Sequence, residues 1–247
     1  MYQSVKRIGL NQDLIKFIAI VLMALNHIGL LFLVPGSGLY TIFVNAGYFT
    51  AITMCFFLVE GYHYTRDRKK YGLRLLMFAL ISELPFRRAF HTEGHSMIFT
   101  LLVCFGILWI QDEIRDGLLR GVATLCLILL TLNSDWPIFA PVFTLLFRWS
   151  YPSRRRTALA YGASILFFGA NEVLVYSQVS ENFLMGLLQA GLSCLGPIIS
   201  AIIILFVYNG KRSQVGKSFF KWFFYIFYPA HLLLLWAISE GFPGLRP

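Results

Sequence analysis

The sequence predicts an all-α fold, a polytopic bundle of about nine transmembrane helices with a cytoplasmic N-terminus, and three observations carry that prediction. Hydrophobic residues make up 57% of the 247, and charged residues only 13%, against about 25% in soluble domains. The apolar residues fall in runs long enough to cross ~30 Å of hydrocarbon at ~1.5 Å per residue. Lysine and arginine gather in alternate gaps between those runs, the pattern that fixes orientation in a bilayer. No Pro, Gly or Ser-rich linker and no solenoid-type repeat interrupts them, so residues 1–247 are expected to form a single integral-membrane domain.

The first apolar run, 13–32, holds Asn26 and His27 side by side near its middle. It is too long for a cleavable signal peptide and lacks a small-x-small cleavage site, so it is expected to remain as the first helix. Asp13, Lys16, Ile20, Met23 and His27 follow i, i+3, i+4 spacing and share a face that should point into the bundle. A Pro35–Gly38 turn leads to a second helix over 40–64, then Arg66, Arg68, Lys69 and Lys70. The third helix is expected over 71–84, ended by Pro85. The fourth and fifth cover 97–110 and 118–132, separated by a polar turn at 111–116. The sixth covers 136–149 with Pro137 and Pro141 bending its start, and the seventh covers 157–176. The eighth, 183–208, should kink at Gly196-Pro197, and the ninth covers 218–239.

Nine spans place loops on alternate sides, and the 21 Lys and Arg then test the parse. All except Arg87, Arg88 and Arg246 fall on the side of Lys6 and Arg7, which predicts a cytoplasmic N-terminus and a C-terminus outside. The net charge of +9 therefore reflects orientation rather than nucleic-acid binding. Cys55, Cys104, Cys126 and Cys194 are isolated within apolar runs and read as small buried hydrophobes. His91 and His95 flank Glu93, but Gly94 breaks the helix face and no further ligand is near, so no metal site is assigned.

Polar groups at membrane depth are costly unless they face protein or water, so each is a functional candidate. His27 and His231 lie at similar depth, and Glu83, Asp135 and Glu172 approach the outer helix ends. Together they could surround a cavity open to the outside. For His27 the structural alternative is a hydrogen bond to a neighbouring helix, and for His231 a Pro-kinked helix end packed against its neighbours. On the cytoplasmic side Arg66, Lys69, Lys70 and Arg74 supply charge enough to hold a polyanion such as a nucleotide cofactor, the alternative being orientation and anionic-lipid contact.

The residues also resemble a known family. Asn26-His27-Ile28-Gly29, Val59-Glu60-Gly61, Arg74-Leu75-Leu76, Ile81-Ser82-Glu83-Leu84-Pro85-Phe86, Ile98-Phe99-Thr100-Leu101 and Tyr228-Pro229-Ala230-His231-Leu232 resemble the TraX family in the right order along nearly the whole chain. That family is named for the conjugation protein that acetylates the N-terminus of F-type pilin. It is distantly similar to membrane acetyltransferases such as heparan-α-glucosaminide N-acetyltransferase.

The resemblance implies acetyl-CoA bound as co-substrate from the cytoplasm, and acetyl transfer to an amine or hydroxyl acceptor, whether a pilin N-terminus, sugar, peptide or small molecule. The family histidine carries over to His27 as general base. Direct transfer and an acetyl-histidine route both fit. Asn26 stands where the family usually has Asp, so another carboxylate orients the base or Asn26 steadies the thioester oxygen. His231, Glu83 and Asp135 would orient His27 or the acceptor, and Arg66, Lys69, Lys70 and Arg74 would hold the CoA phosphates. The rival readings are a small-solute or proton-coupled transporter relaying protons through His27, His231 and Glu172, and a non-catalytic membrane assembly factor.

Overall fold

The computed structural model describes residues 9–179, 182–213 and 216–245, so Lys6, Arg7 and Arg246 lie outside the described residues, as do the side chains of Lys217 and Lys221. Nine α-helices run through the described residues: α1 (Gln12–Phe32), α2 (Gly38–Tyr64), α3 (Arg68–Phe90), α4 (Met97–Glu113), α5 (Gly117–Leu130), α6 (Phe139–Ser150), α7 (Arg154–Val179), α8 (Phe183–Ile202) and α9 (Lys217–Gly241). A π-helical turn, Ile203–Val207, extends α8. The fold is all-α, as the hydropathy pattern requires.

Short polar side chains set several of the starts by accepting the backbone N–H groups that a first turn leaves unpaired. Asn11 accepts from Leu14, Asp67 from Lys70 at 2.9 Å, Ser96 from Phe99 and Asp116 from Leu119. The Asp67 cap moves the start of α3 ahead of the expected position. Its end also differs, because α3 runs through Pro85 to Phe90 and stops only where His91 turns left-handed at φ 48°. Leu75, Phe78, Ala79, Ser82, Pro85, Phe86 and Ala89 form one buried stripe, and burying that stripe outweighs the single hydrogen bond that proline removes.

Five of the helices, α1, α2, α7, α8 with its π turn, and α9, are long and apolar enough to cross a bilayer. Large apolar side chains stand exposed along them and along the shorter α5, among them Leu118, Leu166 and Leu174. That surface is the signature of an integral membrane protein.

The chain divides into two compact units. One comprises Met1–Met54 and Trp149–Lys217. Within it α7 packs on α8, and α8 reaches the first half of α2 through Gly196, where a Cβ would come 2.6 Å from the Phe49 nitrogen. Such small residues let helices approach where lipid supplies no hydrophobic drive. Buried hydroxyls tie the same unit together: Thr50 donates to the Ala19 carbonyl at 2.6 Å, and Ser200 bonds Thr53 at 2.7 Å and Tyr161 at 3.1 Å.

The other unit comprises Cys55–Arg148 and Ser218–Pro247. Here α3 packs on α4 and α4 on α5, while Phe78 of α3 stacks on Tyr225 of α9 at 4.9 Å. Cys55 and Cys104 are buried in it, as expected. Cys126, however, is exposed on the outer face of α5, and Cys194 in the first unit is half-buried, because both helices carry apolar residues all round.

Candidate active site

In the first unit, α1 presents His27 on a buried face together with Asp13, Ile20 and Met23, with Lys16 half-buried at its edge. His27 is 5% exposed. The adjacent Asn26, about 100° round the helix, turns to α2, where its amide Nδ2 donates to the Val44 carbonyl at 2.9 Å. Its side chain lies against Gly47, whose missing Cβ leaves the room it occupies. Asn26 therefore joins two helices. Glu172, on α7, is buried beside Asn171.

In the second unit, Glu83 lies near the end of α3 and faces the start of α4. One carboxylate oxygen accepts the Ser96 backbone N–H at 3.1 Å and its hydroxyl at 3.0 Å; the other lies 2.7 Å from His95 Nδ1. Arg87 Nη2 lies 3.3 Å from the same Nδ1, but the carboxylate oxygen is nearer at 2.7 Å and accepts, so Nδ1 carries the hydrogen and Nε2 is left as the acceptor nitrogen. Arg87, one turn along α3, stands 3.6 Å from Glu83 and balances its charge. The His95 ring stacks on Phe99 at 4.3 Å, which fixes its plane.

The loop after α5 closes on the same histidine. His95 N–H donates to Asn133 O at 2.9 Å, and Asp135 N–H donates to His95 O at 2.8 Å. The Thr100 hydroxyl then donates to Asp135 O at 2.7 Å. Trp136 and Ile138 take left-handed conformations, φ 59° and 61°, a strained path for residues other than glycine that brings the loop into α6. A cavity of about 210 Å³ lies between the two segments, with His95 and Asp135 in its wall. Burial lifts the Asp135 carboxyl to about 6, against the opposing pull of the Trp136 N–H.

Tyr228 and His231, from the Tyr-Pro-Ala-His stretch, occupy the middle of α9. The Tyr228 hydroxyl accepts the Met97 N–H at 3.2 Å, anchoring α9 to the start of α4. His231 is buried, donates from Nδ1 to the Phe227 carbonyl of its own helix at 2.9 Å, and stacks on the Phe227 ring.

At the opposite end of α3 stand the cations. Arg66, Lys69 and Lys70 are exposed, and Lys70 pairs with the capping Asp67 at 3.2 Å. Arg74 is half-buried, with its guanidinium 5.7 Å from the Tyr71 ring and its Nε buried without a hydrogen-bond partner among the described residues. Arg68 and Arg148 are committed elsewhere: both bind Asp112, at 2.9 and 2.7 Å, and the Tyr62 hydroxyl donates to it at 3.1 Å.

The family model described as TraX protein matches residues 11–239. This chain belongs to the TraX family. Across 237 residues the TraX chain is 29% identical to the probable fimbrial assembly protein FimC, serogroup H1, of Dichelobacter nodosus, covering 90% of this chain and 92% of that one. No solved structure matches it.

The structure of this TraX chain thus distributes the residues singled out in the sequence. Asn26 and His27 belong to one compact unit; Glu83, Asp135, His231, Arg66, Lys69, Lys70 and Arg74 belong to the other. Glu83 and Asp135 meet the same residue, His95, the first through its ring and the second through its backbone. His95 is the member that sequence reasoning missed. The available signal was the pair Glu83 and His95 flanking a helix-ending His91, which spacing alone assigns to no common face.

Proposed function

We propose that this TraX family chain is a membrane acetyltransferase that moves an acetyl group from cytoplasmic acetyl-CoA to an amine or hydroxyl acceptor, with His27 as the general base. The observation that carries the reading is His27 itself, an imidazole 5% exposed within a helix long enough to span a bilayer, in a chain matched to the family over 11–239. A buried histidine at that depth is a functional group by default. His27 takes the proton of the acceptor as its nitrogen or oxygen bonds to the acetyl carbon. The carbon–sulfur bond breaks, and the proton passes to the departing thiolate.

Arg74 supports the placement of the donor. Its Nε is buried without a hydrogen-bond partner among the described residues, and three exposed cations, Arg66, Lys69 and Lys70, precede it in the chain, a set suited to phosphate oxygens. Lys70 contributes less, since Asp67 already answers its charge. Nine residues along α3 separate Arg74 from Glu83, about 14 Å of helix rise. In the orientation that the cation count favours, the N-terminus and the Arg74 end are cytoplasmic, and the Glu83 end faces outward across the inner membrane. The fimbrial name of the Dichelobacter nodosus relative favours a pilin N-terminus as the acceptor.

Isothermal titration of the purified, detergent-solubilised protein with acetyl-CoA, CoA and adenosine bisphosphate tests the reading. It predicts binding of all three, weakened on replacing Arg74. No binding in a folded, monodisperse sample overturns it and moves the transporter reading ahead.

A further inference from the structure

The cavity between the end of α3 and the loop after α5 has walls of two kinds. Phe86 and Leu132 are apolar, whereas His95 and Asp135, with Thr92, Asn133 and Ser134, are polar. His95 and Asp135 sit on backbone locked by their exchange with each other and with Asn133 and Thr100. The geometry is built.

Charge distinguishes the two acidic groups. Glu83 has Arg87 at 3.6 Å and the His95 Nδ1–H at 2.7 Å. Asp135 has no cation in ion-pair reach among the described residues, and a half-buried carboxylate without one is held at a cost that a cationic ligand removes. His95 adds a condition on that ligand. With Nδ1–H given to Glu83, Nε2 can only accept, so the matching cation is one that brings protons. A metal ion does not match, because no group of three ligating side chains is present among the described residues. A volume of about 210 Å³ holds roughly seven waters, the size of an amino-acid residue rather than of a nucleotide.

We propose that this cavity seats the ammonium group of a primary amine, with the Asp135 carboxylate as counter-ion and His95 Nε2 as the base that takes one of its protons. The step balances as R–NH₃⁺ plus imidazole giving R–NH₂ plus imidazolium. Glu83, already bonded at Nδ1, holds the imidazolium. Released to bulk water, that proton restores the neutral ring, and the amine leaves the site with the lone pair that acyl transfer requires. As the acceptor subsite this rests on the acetyl-transfer reading; as an amine site it does not.

The test uses full-length protein with ¹⁵N-labelled histidine in detergent, titrated with alaninamide and, separately, with N-acetylalaninamide. The imidazole signals absent from His95→Gln identify the residue. Alaninamide should move those signals while N-acetylalaninamide leaves them in place, and Asp135→Asn should weaken the response about tenfold. Unmoved His95 signals in the folded wild type, or an equal response to both compounds, would overturn the assignment. Acetyl-CoA titrated into the same sample separates the two readings. Amine binding without acetyl-CoA binding keeps this site and removes its acyl-transfer role, and acetyl-CoA binding without amine binding removes the site alone.

Discussion

Glu83 accepts the Nδ1 proton of His95 at 2.7 Å across the end of α3, and the same carboxylate caps the start of α4 through Ser96. The pair is a carboxylate–histidine dyad of the kind that orients a base. Glu83→Gln keeps a hydrogen bond to the ring but removes the charge that steadies an imidazolium. The expected result is a fall of about 10²-fold in kcat/KM for the amine with KM for acetyl-CoA unchanged, measured by steady-state transfer. A loss in both would mark Glu83 as merely structural.

Asn26 and Gly47 make a second fixed relationship, in which the amide fills the space the glycine leaves and donates to Val44 O at 2.9 Å. Asn26→Asp replaces that donor with a carboxylate facing a carbonyl oxygen. Thermal unfolding in detergent should show a loss of about 1–3 kcal/mol. Unchanged stability would show that the bond to Val44 does not hold the two helices.

Asp135 predicts a pH dependence of known sign. Its folded carboxyl, at about 6, lies above the ordinary carboxylate value of 3.8, so the folded state binds more protons between the two. Its stabilising contribution is complete below 3.8 and is lost as pH rises through 6. Asp135→Asn should therefore unfold at higher temperature than the wild type at pH 7, by the equivalent of about 1–3 kcal/mol, with the gap closing toward pH 4. A gap independent of pH would contradict the account.

At the other end of α3, Arg74→Gln should weaken CoA binding by about tenfold, and Lys69→Gln by less, because Arg74 is half-buried and Lys69 is solvated. Titration at two salt concentrations separates them, since screening erodes the exposed contact first.

Gly196 tests the packing of α8. A Cβ there meets Phe49 N at 2.6 Å and Asn45 O at 2.8 Å, backbone atoms that cannot swing aside. Gly196→Ala should destabilise the protein by about 1–3 kcal/mol on thermal unfolding, and a neutral result would mean that the helices part readily.

Much of this was legible in the chain. Periodicity placed nine helices in order, and i, i+3, i+4 spacing put Asp13, Ile20, Met23 and His27 on the face that is buried. Depth in the membrane singled out Glu83 and Asp135. What spacing could not supply was their meeting point, because His95 lies 12 residues from Glu83 round a left-handed turn, and 40 from Asp135 by way of another helix hairpin. Pro85 misled for a local reason: one lost hydrogen bond argued for an end where the buried stripe continues. Asn26 was read by its proximity to His27, yet its helical angle gives it to α2. Nor does spacing show that Asp112 binds both Arg68 and Arg148, which lie 44 and 36 residues from it.

The central claim, His27 as the base of an acetyl-CoA-dependent transfer, is met most directly by one paired measurement on His27→Ala reconstituted in lipid vesicles: acetyl-CoA affinity and acetyl transfer to an amine, side by side with the wild type. The account predicts affinity within about twofold of wild type and transfer reduced by about 10³-fold or more. Transfer that persists near the wild-type rate would contradict it.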